Sequence, residues 1–229
     1  MIRPGRPRKG EETIRRDQLL DHGLRLFVEH GYANVSLETI AREARVSLRT
    51  IYRHFGGKEE LFGAAIRRLS DHFVAVLAFD PAEPKPFEEV LYEFAKEFLF
   101  RLTRPEALRL RAQLLAESRR LPGLAAEFYT QGPERTLHRL AQVMALQQRA
   151  GVLMEEEAAE FLAGQFIGAL RGERFQRLQL GLEAAPEEAE IEPWARRVVG
   201  LFLRGAERAG PNSESPMAGR AMARPSPNP

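Results

Sequence analysis

The sequence predicts an all-α protein of about nine helices, a small N-terminal three-helix unit followed by a larger helical bundle. Apolar residues recur at three- and four-residue spacing through most of the chain, and the alternation that marks strands is almost absent. Pro105, Pro122 and Pro193 each stand where a first helical turn would begin, where a missing N–H costs nothing. At 229 residues, 44% of them hydrophobic, the chain can bury a proper core with room for two units.

Residues 1–10 hold Arg3, Arg6, Arg8 and Lys9 and no acid, in a Pro/Gly-containing stretch too polar to fold alone, which reads as a disordered basic arm. The formal net charge of the whole chain is only +2, so once this +4 arm is set aside the remainder is −2. Residues 11–57 form the first unit. It opens with a helix from about Glu12 to His30, closed by Gly31; Gly23 within it costs on the order of 1 kcal/mol of propensity relative to Ala. Ser36 caps a short helix whose stripe is Leu37, Ile40, Ala41 and Ala44. Arg45 and Val46 make a tight turn, and Ser47 caps a second short helix with Leu48, Ile51 and Phe55 on one side. Residues 58–79 form a connecting helix with Leu61, Phe62, Ala65, Ile66, Leu69 and Phe73 at helical spacing. At 1.5 Å per residue it spans about 30 Å, too long for the small unit alone, and so projects into the next.

Three prolines between Asp80 and Pro86 exclude helix and strand alike, which makes that stretch a loop. Residues 80–209 form the second unit, with helices at 87–102, 105–120, 122–149, 155–182 and 193–209 and an irregularity at Gly132-Pro133. From Gly210 to Pro229, five prolines mixed with Gly, Ser and Asn read as a disordered tail.

The second short helix carries the chemistry. Its outer side presents Arg49, Thr50, Tyr52, Arg53 and His54, and no Asp or Glu falls between Ser47 and Phe55, so phosphate is its natural neighbour. A guanidinium pairs bidentately with guanine in the major groove, which makes Arg49 the best reader of a base edge. Lys58 opens the connecting helix, where ammonium and helix N-terminus both favour phosphate. Arg53 suits either role, and each of these residues taken singly also fits an ordinary exposed polar side chain. The basic arm is open to two readings, entry into a minor groove beside this helix or a solvated terminus that aids solubility.

These residues resemble the DNA-binding domain of the TetR/AcrR family of bacterial transcriptional regulators. The resemblance covers about residues 10–68 and runs through Leu19-Leu20, Leu26-Phe27, Gly31-Tyr32, Ile40-Ala41, Val46-Ser47, Tyr52-Arg53-His54-Phe55 and Lys58-Glu59-Glu60-Leu61. Between Leu121 and Leu182, Leu-Pro-Gly-Leu-Ala-Ala-Glu-Phe-Tyr and Arg149-Ala150-Gly151-Val152-Leu153 resemble the C-terminal domain of an AefR-like subgroup. Arg45 stands where the family commonly has Gly, which implies positive φ at a cost of roughly 1 kcal/mol. The resemblance implies that Thr50, Tyr52 and His54 position the helix on phosphates, with Ser36 and Ser47 beside them. It also implies an effector pocket among the helices from Phe87 to Leu182, to which Tyr92, Phe94, Phe98, Gln113, Phe128, Tyr129, Gln165 and Phe166 could contribute. Most of these aromatics fit a packed core equally well.

Gly164, Gly168 and Gly172, four apart, leave a bare helix face that a partner backbone can approach, from the same subunit or from a second one. The resemblance favours the second, since family members dimerise through a four-helix bundle of their last two helices. Phe161, Ile167, Trp194, Val198, Leu201 and Phe202 would then supply apolar area.

No cofactor or metal site is expected. The five histidines include no pair three or four apart, and Gly56-Gly57-Lys58 lacks the upstream Gly, the following Ser or Thr and the preceding strand of a phosphate loop. The chain has no Cys, no apolar run near the roughly 20 residues that span a bilayer and no apolar stretch behind its basic start, as suits a soluble cytoplasmic protein. The sequence therefore reads as a homodimeric repressor, not an enzyme, that binds double-stranded DNA at a palindromic operator and is released by a small apolar effector. The rival is an architectural module that attaches to nucleic acid nonspecifically through its arm, with affinity that follows salt alone.

Overall fold

The computed structural model describes residues 9–78 and 85–206, with side chains from Arg15 onward. Arg3, Arg6 and Arg8, the last residue of the expected connecting helix, residues 80–84 of the expected loop and the expected tail lie outside the described residues. Every element described is helical. The N-terminal unit comprises α1 (Lys9–His30), α2 (Leu37–Glu43), α3 (Leu48–Phe55) and α4 (Lys58–Val76). There follow α5 (Phe87–Leu102), α6 (Pro105–Glu117), α7 (Pro122–Tyr129), α8 (Arg135–Arg149), α9 (Ala159–Gln179) and α10 (Glu188–Ala206).

Caps and glycines set the early boundaries. Gly31 ends α1 at φ +83°, and Ser36 caps α2, its Oγ accepting from the Thr39 amide at 3.2 Å. Gly56, at φ +92°, turns the chain from α3 into α4. Gly23 has a packing reason: a Cβ there would stand 2.8 Å from Leu61 Cδ2, so its absence lets α1 and α4 close up.

Several boundaries differ from the sequence reading, and α4, α6 and α9 end at Val76, Glu117 and Gln179, each three residues before the expected limit. α1 begins at Lys9, taking in two residues assigned to the arm. α9 starts at Ala159, after bends at 155–157. α10 starts at Glu188, so Pro193 is inside the helix; Ile191, Ala195, Val199 and Leu203 form one buried row, and burying Ile191 holds the turn before the proline helical. Between α7 and α8 the helix widens into a π turn at Thr130–Glu134. Pro133 has no N–H to offer the preceding turn and its ring crowds it, and the wider turn accommodates both defects. With α7, the π turn and α8 taken as one bent helix, the described residues hold nine.

Two apolar cores organise the molecule. One joins the end of α4 to α5, α8, α9 and α10 around Phe94, Leu99, Leu140, Met144, Phe166 and Leu170. The other joins α1 to α4 around Phe27, Ile40, Ile51, Leu61 and Phe62, and it is closed by Leu110 and Leu114 of α6 and Leu124 of α7. Gln113 Nε2 donates to the Val28 carbonyl at 3.1 Å, tying α6 to α1. Helices that the sequence assigns to the second unit thus complete the core of the first.

Candidate functional site

Ser47 shapes the outer helix of the N-terminal unit. Its Oγ accepts from the Thr50 amide at 3.1 Å and lies 2.7 Å from Thr50 Oγ1, fixing the first turn of α3. The turn before it contains Arg45 at φ +53°, the only non-glycine with positive φ among the described residues, at the position where the sequence anticipates that strain. Ile51 is fully buried and pins α3 to the core, with Val46 and Phe55 half-buried beside it. Arg49, Tyr52 and Arg53 are exposed on the opposite side, and Thr50 and His54 are half-buried at its edges. Arg53 Nη2 lies 3.1 Å from His54 Nε2, and Arg16 of α1 sits over the Phe55 ring, 5.7 Å from its centroid. Ser36, Ser47, Arg49, Thr50, Tyr52, Arg53 and His54 thus share α2, α3 and their turn, an apron in which α3 carries no acid.

Lys58, expected to meet phosphate, opens α4 with its ammonium over an aromatic ring. Its Nζ stands 4.2 Å from the centroid of the Tyr32 ring, which packs against Phe27 and Phe62 at 5.2 and 5.5 Å. Burial holds the Lys58 ammonium below its ordinary pKa, and burial together with the nearby carboxylates of Glu59 and Glu60 pushes the Tyr32 phenol up to about 12. The Lys58–Tyr32 stack fixes the start of α4 against the end of α1.

Behind this face lies a cavity of about 410 Å³, within the range of small-ligand sites. It is walled by α1 (Leu24, Val28), α4 (Ile66, Leu69, Phe73), α5 (Phe98), α6 (Leu110, Arg111), α7 and the π turn (Phe128, Tyr129, Pro133) and α9 (Gly164, Ile167, Arg171). Phe98, Phe128 and Tyr129 therefore line it as the sequence suggests. Five other expected residues do not. Phe94 and Phe166 are fully buried in the second core, Tyr92 lies under Arg196 at 4.2 Å, and Gln165 is exposed on the outer side of α9. Gln113 borders a separate crevice of about 130 Å³ and is occupied with Val28. The helix spacing that gathers these residues on paper cannot say which face turns inward. Arg111 and Arg171, which the sequence reading missed, line the cavity; the available signal was a basic residue in register with an apolar face, Ile167 to Arg171 and Ala107 to Arg111.

The glycine row on α9 is also redistributed. Gly172 breaks the helix at φ +44°, ψ −163°, so the three glycines do not form one continuous face. Gly164 and Ile167 turn to the cavity, and nothing lies within 4 Å of a Cβ built at Gly164, Gly168 or Gly172. On the outside of α9 and α10, Phe161 and Leu201 are 50% and 66% exposed. Trp194, Val198 and Phe202 are half-buried there, the Phe202 ring 4.9 Å from that of Phe166 and Trp194 beneath Arg174.

α4 links face and cavity. The buried Ser70 hydroxyl lies 2.8 Å from the Arg67 carbonyl and 2.9 Å from that of Gln131 in the π turn. Arg135 Nη1 donates to Ser70 Oγ, Arg135 Nη2 to Asp71 at 2.7 Å, and Arg139 donates to the Leu77 carbonyl at 2.9 Å. Toward the other end, Arg68 donates to the Asp17 carbonyl at 2.7 Å and to Asp21 at 2.8 Å on α1. No helix among the described residues is long and apolar enough to cross a membrane.

Comparison with known proteins agrees with this architecture. Residues 19–65 match the family described as bacterial regulatory proteins, tetR family, and residues 89–205 match the AefR-like transcriptional repressor C-terminal domain. The HTH-type transcriptional regulator TcmR of Streptomyces glaucescens is 35% identical over 161 residues, 67% of this chain and 68% of TcmR. The negative regulator of the icaADBC biofilm operon in Staphylococcus aureus, IcaR, is 25% identical over 85 residues, 37% of this chain and 46% of IcaR. Among solved structures, the flavonoid-responsive regulator FrrA is 31% identical with a TM-score of 0.65, covering 88% of this chain and all of FrrA. A putative TetR-family regulator from Mesorhizobium loti is 25% identical with a TM-score of 0.68, covering 86% of this chain and 98% of the other.

Proposed function

Because this chain belongs to the TetR family of bacterial transcriptional regulators, we propose that it is a homodimeric repressor that binds a palindromic operator and leaves it when a small molecule fills the cavity behind α3. The observation that carries this reading is the shared wall. Leu24 and Val28 of α1, together with Ile66, Leu69 and Phe73 of α4, face the cavity, and the same two helices build the core that seats Ile51 of α3, with Arg16 of α1 over the Phe55 ring. A ligand that spreads the wall tilts α4 and moves α3.

In this reading Arg49 reads a base edge, while Thr50, Tyr52, Arg53, His54 and Lys58 place α3 on the backbone, with Ser36, Ser47, the arm residues Arg3, Arg6 and Arg8, and Lys9 at the start of α1 at its flanks. The outer faces of α9 and α10, with Phe161, Trp194, Val198, Leu201 and Phe202, form the dimer seam. The described relatives support the ligand-responsive part, since FrrA is flavonoid-responsive, and the repressor part, since IcaR is a negative regulator. For a ligand to release DNA by about 100-fold, it must favour the non-binding state by roughly 2.7 kcal/mol.

Selecting bound duplexes from a random pool at physiological salt tests the proposal. The expected product is a palindrome with half-sites about one DNA turn, roughly 34 to 36 Å, apart. Survivors indistinguishable from the starting pool would reject sequence-specific recognition and leave the salt-driven architectural reading.

A further inference from the structure

The cavity wall is apolar apart from a few polar groups, and its charged groups are unevenly provided for. Arg101 pairs with Glu97, Arg104 lies over the Phe100 ring at 4.5 Å, and Glu106 pairs with Arg109. Arg111 of α6 and Arg171 of α9 have no acidic partner among the described residues. The Nε atoms of both are buried without a hydrogen-bond partner, and the Arg171 guanidinium lies over Phe98, 5.8 Å from the ring centroid. Two guanidinia facing one space without a counter-charge cost stability that the unliganded fold does not recover. Arginine cannot escape by losing its proton. Burial holds both guanidinia below their ordinary pKa, and the charge of Arg111 adds to the effect on Arg171.

We propose that the cavity takes an amphipathic organic anion, its carboxylate or sulfonate held between Arg111 and Arg171 and its apolar body laid against Phe73, Phe98 and Phe128. The ligand chemistry follows from the walls. A planar guanidinium matches a carboxylate or sulfonate with paired N–H donors, and an anion between two guanidinia relieves their mutual repulsion as well as satisfying the buried Nε atoms. A small hydrated anion would leave the aromatic walls unfilled, and a neutral apolar molecule would leave both guanidinia unpaired. The ligand called apolar from sequence is therefore apolar at one end only. This inference deepens the effector reading and depends on it for regulatory meaning, though the anion site can be tested without DNA.

Two fluorescent probes share one ring system and differ by one charged group: 8-anilino-1-naphthalenesulfonate and N-phenyl-1-naphthylamine. The wild-type chain is expected to bind the sulfonate at least about tenfold tighter than the neutral amine. Arg111→Met and Arg171→Met are each expected to lose about tenfold in sulfonate affinity while keeping the affinity for the amine. Octanoate is expected to displace the sulfonate from the wild type and 1-octanol and inorganic sulfate to fail. Equal wild-type affinity for the two probes would overturn the proposal, and so would a sulfonate preference that survives in both variants. The wild-type comparison and the octanoate displacement stand even if a variant fails to fold. Operator binding separates the two readings: a cavity occupied by the sulfonate with operator affinity unchanged ends the effector role and keeps the anion site, whereas release by the neutral amine alone does the reverse.

Discussion

Arg49 and Tyr32 show how much one side chain decides. Arg49 is exposed near the start of α3 with no acid on that helix, so its guanidinium is free to pair with a base. Arg49→Ala is expected to relax sequence choice at one position of each half-site and cost about 1–3 kcal/mol on the preferred operator, measured by competition between operator variants. Tyr32 works from inside. Its phenol keeps its proton to about 12 when folded, against 10 for an ordinary tyrosine, so the folded state holds a proton that the unfolded chain gives up between those values. Stability is then intact below about pH 10 and falls as pH rises through 12. Tyrosinate absorbance is expected to show one late-titrating group in the wild type that is missing from Tyr32→Phe. The Ser47 cap and the positive φ of Arg45 were legible in the sequence because each follows from local geometry. Arg111 and Arg171 were not, because a basic residue in a helix defaults to solvent and only the packed structure shows a guanidinium turned inward.

At the level of elements, α4 is held by a polar latch rather than by apolar packing alone. Ser70 joins it to the π turn, and Arg135 clasps Ser70 and Asp71 from α8. Ser70→Ala leaves the Gln131 carbonyl and one Arg135 N–H without that partner, and is expected to cost about 1–3 kcal/mol in urea unfolding. Apolar periodicity gave most helix limits because it records which face is buried, and the Gly132-Pro133 pair marked the irregularity that proved to be a π turn. It could not give the partner of each face. α6 and α7 share the second unit's helical pattern but bury Leu110, Leu114 and Leu124 in the first core. Pro193 misled for a related reason: proline is favoured in a first turn but is not confined to one, and the buried row beginning at Ile191 outweighed the hydrogen bond it removes.

The whole molecule, in the proposed reading, acts only in pairs. Leu201 is two-thirds exposed on α10 beside the half-buried Val198 and Phe202, and a carboxylate there would be buried in the seam. Leu201→Glu is expected to give a monomer by light scattering with unchanged helix content, and to lose most operator affinity because two half-sites are no longer held by one particle. A dimer that persists in this variant would move the seam elsewhere. The closure of the first core by Leu110, Leu114 and Leu124 has a consequence for modularity. A piece cut at residue 78 would carry the complete α1 to α4 and still expose the apolar surface that α6 and α7 cover, so the reader is not a transplantable cartridge. Its last structural wall is supplied by chain that lies beyond the 79–84 segment, and a chimera that exchanges DNA preferences between regulators must carry α6 and α7 with the head.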